Sequence, residues 1–328
     1  MKAMSQHFLL SSAARTISLR AVLSLTDADA WKLFQRIRWP ETDGMPVCAK
    51  CGHDRCYDVT RGATPRFRCA ACRKDFSPTS GTLFAYHKLS IRDYLAAIVL
   101  FVNAVKGISA LQLGRDLDIS FKSAWVLCHK LREAMTLEMK GANVGGAGKT
   151  VEVDGMYTGG HIRPANHKED RVDRRLAANQ NGKRRVVIAM RERGGRTVTA
   201  VFPSEDAATD FIKARVAKGT VVHTDEAATW DSLRARFKMR QVNHSVAYSH
   251  DDACTNQAES FFSRLRRAEW GQHHCISDAY LGRYAAEMGW REDHRRQPNG
   301  TLFNRVGALV GKSVMSVDFT GRWQRRAA

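Results

Sequence analysis

Apolar residues recur along the chain in two periods, and the change from one to the other falls near residue 150. Upstream, a three-and-four spacing predominates, the mark of amphipathic helices. Ala30, Leu33, Phe34 and Ile37 share one side of DADAWKLFQRIRW, which predicts a helix capped by Thr26 or Asp27 and stopped by Pro40. A helical region covers residues 90–139, and its second half splits at DLDIS into two short amphipathic pieces. Ala110, Leu111, Leu113 and Leu117 mark the first; Ala124, Trp125, Leu127, Cys128 and Leu131 mark the second. GANVGGAG, residues 141–148, has the small-residue composition of a linker.

Beyond it the runs are β-rich: 150–157, 184–191 and 196–202, the last two separated by Gly194-Gly195, a hairpin signal. Residues 206–217 and 227–237 are helical by period, while 220–223 and 239–242 are short strands. The last strong pattern is CTNQAESFFSRLRRAEW, residues 254–270, with Ala258, Phe261, Phe262 and Leu265 on one stripe and Thr255 as a candidate cap. Three antiparallel strands followed by helix, strand, helix, strand and helix predict an α/β fold, in an order compatible with a ribonuclease H-like domain. The expected organisation is an N-terminal helical segment (1–45), a compact cysteine-bearing module (46–80), a helical region (81–140), a linker (141–149) and an α/β domain (150–328).

Charge narrows the partner, a merely basic soluble protein being the alternative. Lys and Arg total 52 against 33 Asp and Glu, a formal charge of +19, which points to a polyanion, most simply nucleic acid. Membrane roles are disfavoured: Arg15 and Arg20 interrupt the apolar N-terminus, and the most apolar window, YLAAIVLFVNAV, is too short to cross a bilayer. Four of the eight cysteines fall in two Cys-x-x-Cys pairs, so a reducing cytoplasm fits better than a disulfide scaffold. With DNA as partner, the nucleoid is the expected place of action.

Those pairs, Cys48/Cys51 and Cys69/Cys72, are separated by 17 residues, the spacing of a tetrathiolate zinc ribbon. The module has few large apolar residues, so Zn²⁺ must supply folding energy that a core cannot. A redox dithiol usually comes singly and in a βαβ context, and Cys56 lies outside the pattern. The two helical pieces around DLDIS resemble a helix-turn-helix, with residues 122–132 as the recognition helix and Lys122, Ser123, Lys130 and Arg132 as DNA contacts. A small three-helix core has the same periodicity. Residues 161–196 carry eleven Lys or Arg and four acidic residues; this basic loop suits either plain solvation or contact with a phosphate backbone.

Candidate chemistry gathers on carboxylates at strand ends. Asp154 follows Val151 and Val153, and Asp225 follows Val221, Val222 and His223. Phosphodiester chemistry without a protein nucleophile needs a few oxygen ligands that hold Mg²⁺ or Mn²⁺ and leave room for water and phosphate. The helix at 254–270 has two candidates for a third ligand on one face, Asn256 and Glu259. Its far end, Arg264, Arg266 and Arg267, forms a candidate DNA-binding surface. His244, His273 and His274 are weaker phosphate candidates, and Trp270 either stacks on an unpaired base or packs beneath the helix.

The strings VEVDGMYTGG, VHTDEAATW, NHS at 243–245 and TNQAESFFSRLRRAEWGQHHCIS resemble the DDE-type transposases of bacterial insertion sequences, the IS1595 (ISXO2-like) family. FLLSSAARTISLRAV, RIRWPETDGMPVCAKCG, the ribbon and GISALQLGRDLDISFKSAW extend the similarity over nearly the whole chain. The resemblance implies a ribonuclease H-like catalytic domain, a divalent metal and strand transfer by a 3′-hydroxyl; Asp154 and Asp225 are the expected magnesium ligands, with Glu259, the stronger ligand by chemistry, or Asn256 as the third. It also implies double-stranded DNA partners, terminal inverted repeats and target, and a homo-oligomer on DNA. In that family the third position is commonly asparagine in a T-N-x-x-E string, which maps Asn256 and Glu259 as a pair. A lysine typically follows in the same helix, where this chain has Arg266.

Overall fold

A computed structural model describes residues 7–160, 163–173, 176–179, 181–242 and 254–326. The chain divides into two compact units, Met1–Glu138 with His294–Ala328, and Met139–Asp293.

The first unit begins with α1 (Leu19–Leu23) and α2 (Asp27–Arg38). Thr26 caps α2 as expected, its hydroxyl accepting from the Asp29 amide at 3.1 Å. Three short antiparallel strands follow, β1 (Cys56–Asp58), β2 (Phe67–Cys69) and β3 (Asp75–Phe76). Trp39 packs edge-on against Phe67 and Phe76 to give this module its small apolar centre. Helices α3 (Ile91–Asn103), α4 (Ala110–Asp116) and α5 (Phe121–Met139) complete the N-terminal part. A Ser90/Asp93 capping box starts α3, whose run of apolar residues is buried almost throughout. The turn from α4 to α5 passes through Asp118 in the left-handed region, φ 51°.

The expected 150–328 domain is corrected here. Residues from His294 onward belong with the first unit, where the helix Asn299–Lys312 packs against α2 and α3. Asn299 ties it down: its Oδ1 accepts from the Thr16 and Ile17 amides at 2.8 and 3.1 Å, and its Nδ2 donates to the Ile17 carbonyl. Phe303, Val306 and Val310 supply the apolar face that needs this cover.

The second unit is a mixed five-stranded sheet. Its elements are β4 (Val144–Gly145), β5 (Thr150–Gly159), β6 (Arg184–Glu192), β7 (Thr197–Phe202), α6 (Thr209–Arg215), β8 (Val216–Ala217), β9 (Val221–Asp225), β10 (Lys238–Val242), α7 (Asn256–Ala268) and α8 (Asp278–His294). The order is β10-β9-β5-β6-β7; β5, β6 and β7 run antiparallel, whereas β9 and β10 join in parallel. One face buries Val151, Val153, Ile188, Met190 and Val222 with Ile212 of α6 and with Trp230. The other buries Met156, Val187 and Ala189 under Phe261, Phe262 and Leu265 of α7 and Leu281, Ala285 and Met288 of α8.

The 141–149 stretch is not a free linker. β4 pairs in parallel with β8, Val144 is buried, and Gly145 at φ 85° would place a Cβ 2.2 Å from Thr220 Oγ1. The small residues serve close approach. The region expected to be helical at 227–237 is a short 3-10 turn, Ala228–Leu233, and no described helix is long and apolar enough to cross a membrane.

Candidate active site and zinc cluster

The register of β5 against β9 sets the site. Thr150, Val151 and Glu152 lie beside Val221, Val222 and His223, so Asp154 and Asp225 follow two positions further on each strand. Alternation turns Val151 and Val153 to one face and leaves Glu152, Asp154 and Met156 on the face under α7. Asp154 Oδ1 accepts from the Gly155 amide at 2.7 Å. Burial pushes its carboxyl up to about 7, against the pull of that amide, and the charges of Asp225, Glu259 and Glu205 push the same way.

Asp225 is held from the other side. The indole Nε1 of Trp230 donates to its Oδ1 at 2.7 Å, and the Ala227 amide reaches the same oxygen at 3.3 Å. Asn256, the first residue of α7, is exposed, whereas Glu259 one turn on is half-buried. The Thr255 hydroxyl donates to Glu259 Oε1 at 2.9 Å and makes no cap bond to the helix, which corrects its expected role. Among the described residues these carboxyl groups do not close into a ligand cluster within 4.8 Å.

Sequence reasoning missed Glu205. Its carboxylate lies over the Gly155 backbone, where an added Cβ would meet Oε1 at 2.5 Å. Burial raises its carboxyl, with Asp225 and Asp206 acting in the same direction and Arg184 against. The signal available was an acidic pair, SED, directly after the third strand. Like charges around a half-buried carboxyl are of the oxygen-donor type that a hard divalent cation neutralises.

Of the expected DNA contacts, Lys122 and Ser123 are exposed at the start of α5. Lys122 Nζ lies 5.6 Å from the Trp323 ring, and the Ser123 amide donates to Ser120 Oγ. Lys130 and Arg132 are corrected: they are 6% and 1% exposed, because α5 turns that side inward. Arg132 stacks over Phe101 and donates to the Ile108 carbonyl, so its guanidinium serves packing. On α7, Arg264 is ion-paired with buried Glu292, whereas Arg266 and Arg267 are exposed. Trp270 is 70% exposed on a π-helical turn, not packed beneath the helix. His273 packs edge-on against Tyr284 and His274 sits at φ 59°; His244 lies outside the described residues.

In the first unit Cys48, Cys51, Cys69 and Cys72 bring four Sγ atoms within 4.8 Å of one another. The Cys48–Cys72 and Cys51–Cys69 sulfurs are 3.6 Å apart. A tetrahedron with metal–sulfur bonds of about 2.3 Å has edges near 3.8 Å, so the cluster fits Zn²⁺. Amides of Lys50 and Cys72 point at Cys48 and Cys69 Sγ, both at 3.4 Å. The Cys72 amide is the largest influence holding the Cys69 thiol down to about 6, favouring thiolate. Cys56 is not in the group.

The four-cysteine cluster of one unit and the acidic strand ends of the other fall inside the segments that match two transposase family models. Residues 145–293 match the ISXO2-like transposase domain and residues 25–75 the transposase zinc-ribbon domain. The chain belongs with these insertion-sequence transposases. It is also similar to a Halobacterium salinarum protein described as an uncharacterized protein in transposable element ISH50, 23% identical over 289 residues, which covers 84% of this chain and 93% of that protein.

Proposed function

We propose that this transposase binds the terminal inverted repeats of an insertion sequence and cleaves and rejoins DNA through a ribonuclease H-like active site. The observation that carries the reading is the placement of Asp154 and Asp225 at corresponding positions of adjacent strands, with Glu205 against the Gly155 backbone and Glu259 in the first turn of α7; burial and the neighbouring charges push Asp154 up to about 7. The strand order, three antiparallel strands extended by two parallel ones, supports the fold assignment.

Asp154, Asp225 and Glu259 would hold Mg²⁺ or Mn²⁺, with Asn256 as the alternative third ligand. Bound there, the ion supplies Lewis-acid stabilisation of the attacking and leaving oxygens in an in-line displacement. The protein's own groups arrange this chemistry. Trp230 fixes the Asp225 carboxylate and Thr255 orients Glu259. Water attacks the phosphorus and the 3′ oxygen leaves as a 3′-hydroxyl; that hydroxyl then attacks a target phosphodiester and displaces its 3′ oxygen. Exposed Arg266 and Arg267 suit the DNA backbone, and Arg266 keeps a fork of donors where the family commonly has lysine. The ribbon and the α4–α5 pair, with Lys122 and Ser123 outward, are the proposed end-recognition surface, and two ends brought together call for at least a dimer on DNA.

The test is Mn²⁺-dependent cleavage and joining of labelled duplexes from the DNA flanking the gene. Wild type is expected to nick at a repeat boundary and join the 3′ end. Asp225→Asn should do neither while binding the ends normally, and Asn256→Ala against Glu259→Gln identifies the third ligand. Retained cleavage by Asp225→Asn overturns the site; binding without any cutting by wild type makes the protein a catalytically inactive, transposase-derived regulator.

A further inference from the structure

The start of α7 is held by a carboxylate that belongs to another element. Glu152 is on β5, two positions before Asp154 and on the same face, and is 0% exposed. Its Oε2 accepts from the Gln257 and Ala258 amides at 2.7 and 3.1 Å, the first-turn donors that a helix's own cap residue normally satisfies. Thr255 has given up that task, since its hydroxyl goes to Glu259.

Arg193, in the turn between β6 and β7, neutralises the buried carboxylate. Its Nε donates to Glu152 Oε1 at 2.8 Å, and its Nη2 reaches the Cys254 carbonyl at 3.3 Å and Sγ at 2.7 Å. On the neighbouring strand, His223 Nδ1 accepts from the Cys254 amide at 3.2 Å. Two strands and a turn of the sheet thus grip Cys254, two positions before α7, and the helix's first turn.

From this geometry we infer that Glu152 and Arg193 are positioning residues: they fix α7, and with it Glu259, against the strand that carries Asp154. The inference rests on the Asp154 and Glu259 reading of the site. Burying the Glu152 carboxylate is costly unless its oxygens are satisfied, and here both are used, Oε1 by Arg193 and Oε2 by the α7 amides. The pair links β5, the β6–β7 turn and the first turn of α7, and so sets the distance between two acidic groups on different elements. Groups that orient metal ligands in this way typically change metal affinity or activity 10–100-fold when replaced.

Three full-length proteins test it: wild type, Glu152→Gln and Arg193→Lys. Gln keeps an acceptor for one amide but loses the charge; Lys keeps the charge but loses the fork to Cys254. Hydrogen exchange of the Gln257 and Ala258 amides reads the grip directly, and Mn²⁺ titration of strand cleavage reads its consequence. Both variants should exchange these amides at least about 10-fold faster than wild type and need at least about 10-fold more Mn²⁺ for half-maximal cleavage, with DNA-end binding and the thermal midpoint near wild type. A merely structural role would lower the midpoint and leave the Mn²⁺ dependence of the folded fraction unchanged, which overturns the inference, as do wild-type exchange and metal dependence in both variants. Should Glu152→Gln fail to fold, Arg193→Lys, whose side chain is 30% exposed, decides alone. If wild type itself does not cleave, the catalytic reading fails, and direct Mn²⁺ binding with amide exchange still decides whether the grip positions Glu259.

Discussion

Replacing Asp154 by Asn should make the metal-free protein more stable at alkaline pH. The native carboxyl titrates at about 7 against an ordinary value of 3.8. Between those values the unfolded chain has released its proton and the native chain has not, so stability from this group falls as pH rises, and all of it is lost above 7. From pH 5 to pH 7 the slope of about 1.4 kcal/mol per unit gives a ceiling of roughly 3 kcal/mol. Solvent at the partly exposed side chain brings the expected loss to about half of that. The variant has no such proton and should lack this part of the pH dependence. Urea unfolding at pH 5 and pH 8, without divalent cations other than zinc, measures the contrast, and hydrogen exchange in β5 and β9 localises it. Added Mn²⁺ should recover wild type at pH 8, by about 2.7 kcal/mol at a hundredfold excess over its dissociation constant, and leave the variant unmoved. Equal pH dependence in the two proteins, or equal response to Mn²⁺, would refute the argument that this carboxyl is held in a crowd of like charges awaiting a cation.

Other expectations concern the ribbon and the segment before β5. Stripping zinc should unfold the ribbon around Trp39, Phe67 and Phe76 and weaken binding to element ends; binding that survives chelation, read by gel shift, would remove the ribbon from end recognition. Gly145→Ala should destabilise the second unit by about 2 kcal/mol, since the residue needs a left-handed backbone and meets Thr220. A flexible linker would tolerate the change, so an unaltered urea midpoint counts against the β4–β8 pairing.

Much of the architecture was legible because period and spacing carried it. The α7 stripe of Ala258, Phe261, Phe262 and Leu265 is buried as its spacing requires. The two Cys-x-x-Cys pairs converge, and the β6–β7 hairpin turns at Gly194-Gly195 as expected. What periodicity could not carry was which face of a helix looks inward when both sides hold cations. Lys130 and Arg132 sit among apolar neighbours in α5, and burying the long stem of Arg132 over Phe101 is invisible until α3 is in place. Glu152 and Glu205 were missed for a related reason. One acts on amides more than a hundred positions away, as the Glu152–Gln257 bond does, and the other lies against a glycine of a strand distant in sequence. Composition also misled at 141–148, where small residues that suit a linker equally suit two backbones in close contact.

The division of the chain has a consequence for synthesis. The Thr16–Asn299 bond spans 283 positions, with the whole second unit between its ends. During translation α2 and α3 leave the ribosome without the helix Asn299–Lys312 that covers them, so the first unit reaches its final packing after the second has emerged. Chain closure over so many residues is slow compared with local folding. A ribosome that stalls within the second unit therefore leaves the N-terminal unit without its covering helix, its apolar faces open to chaperones and proteases.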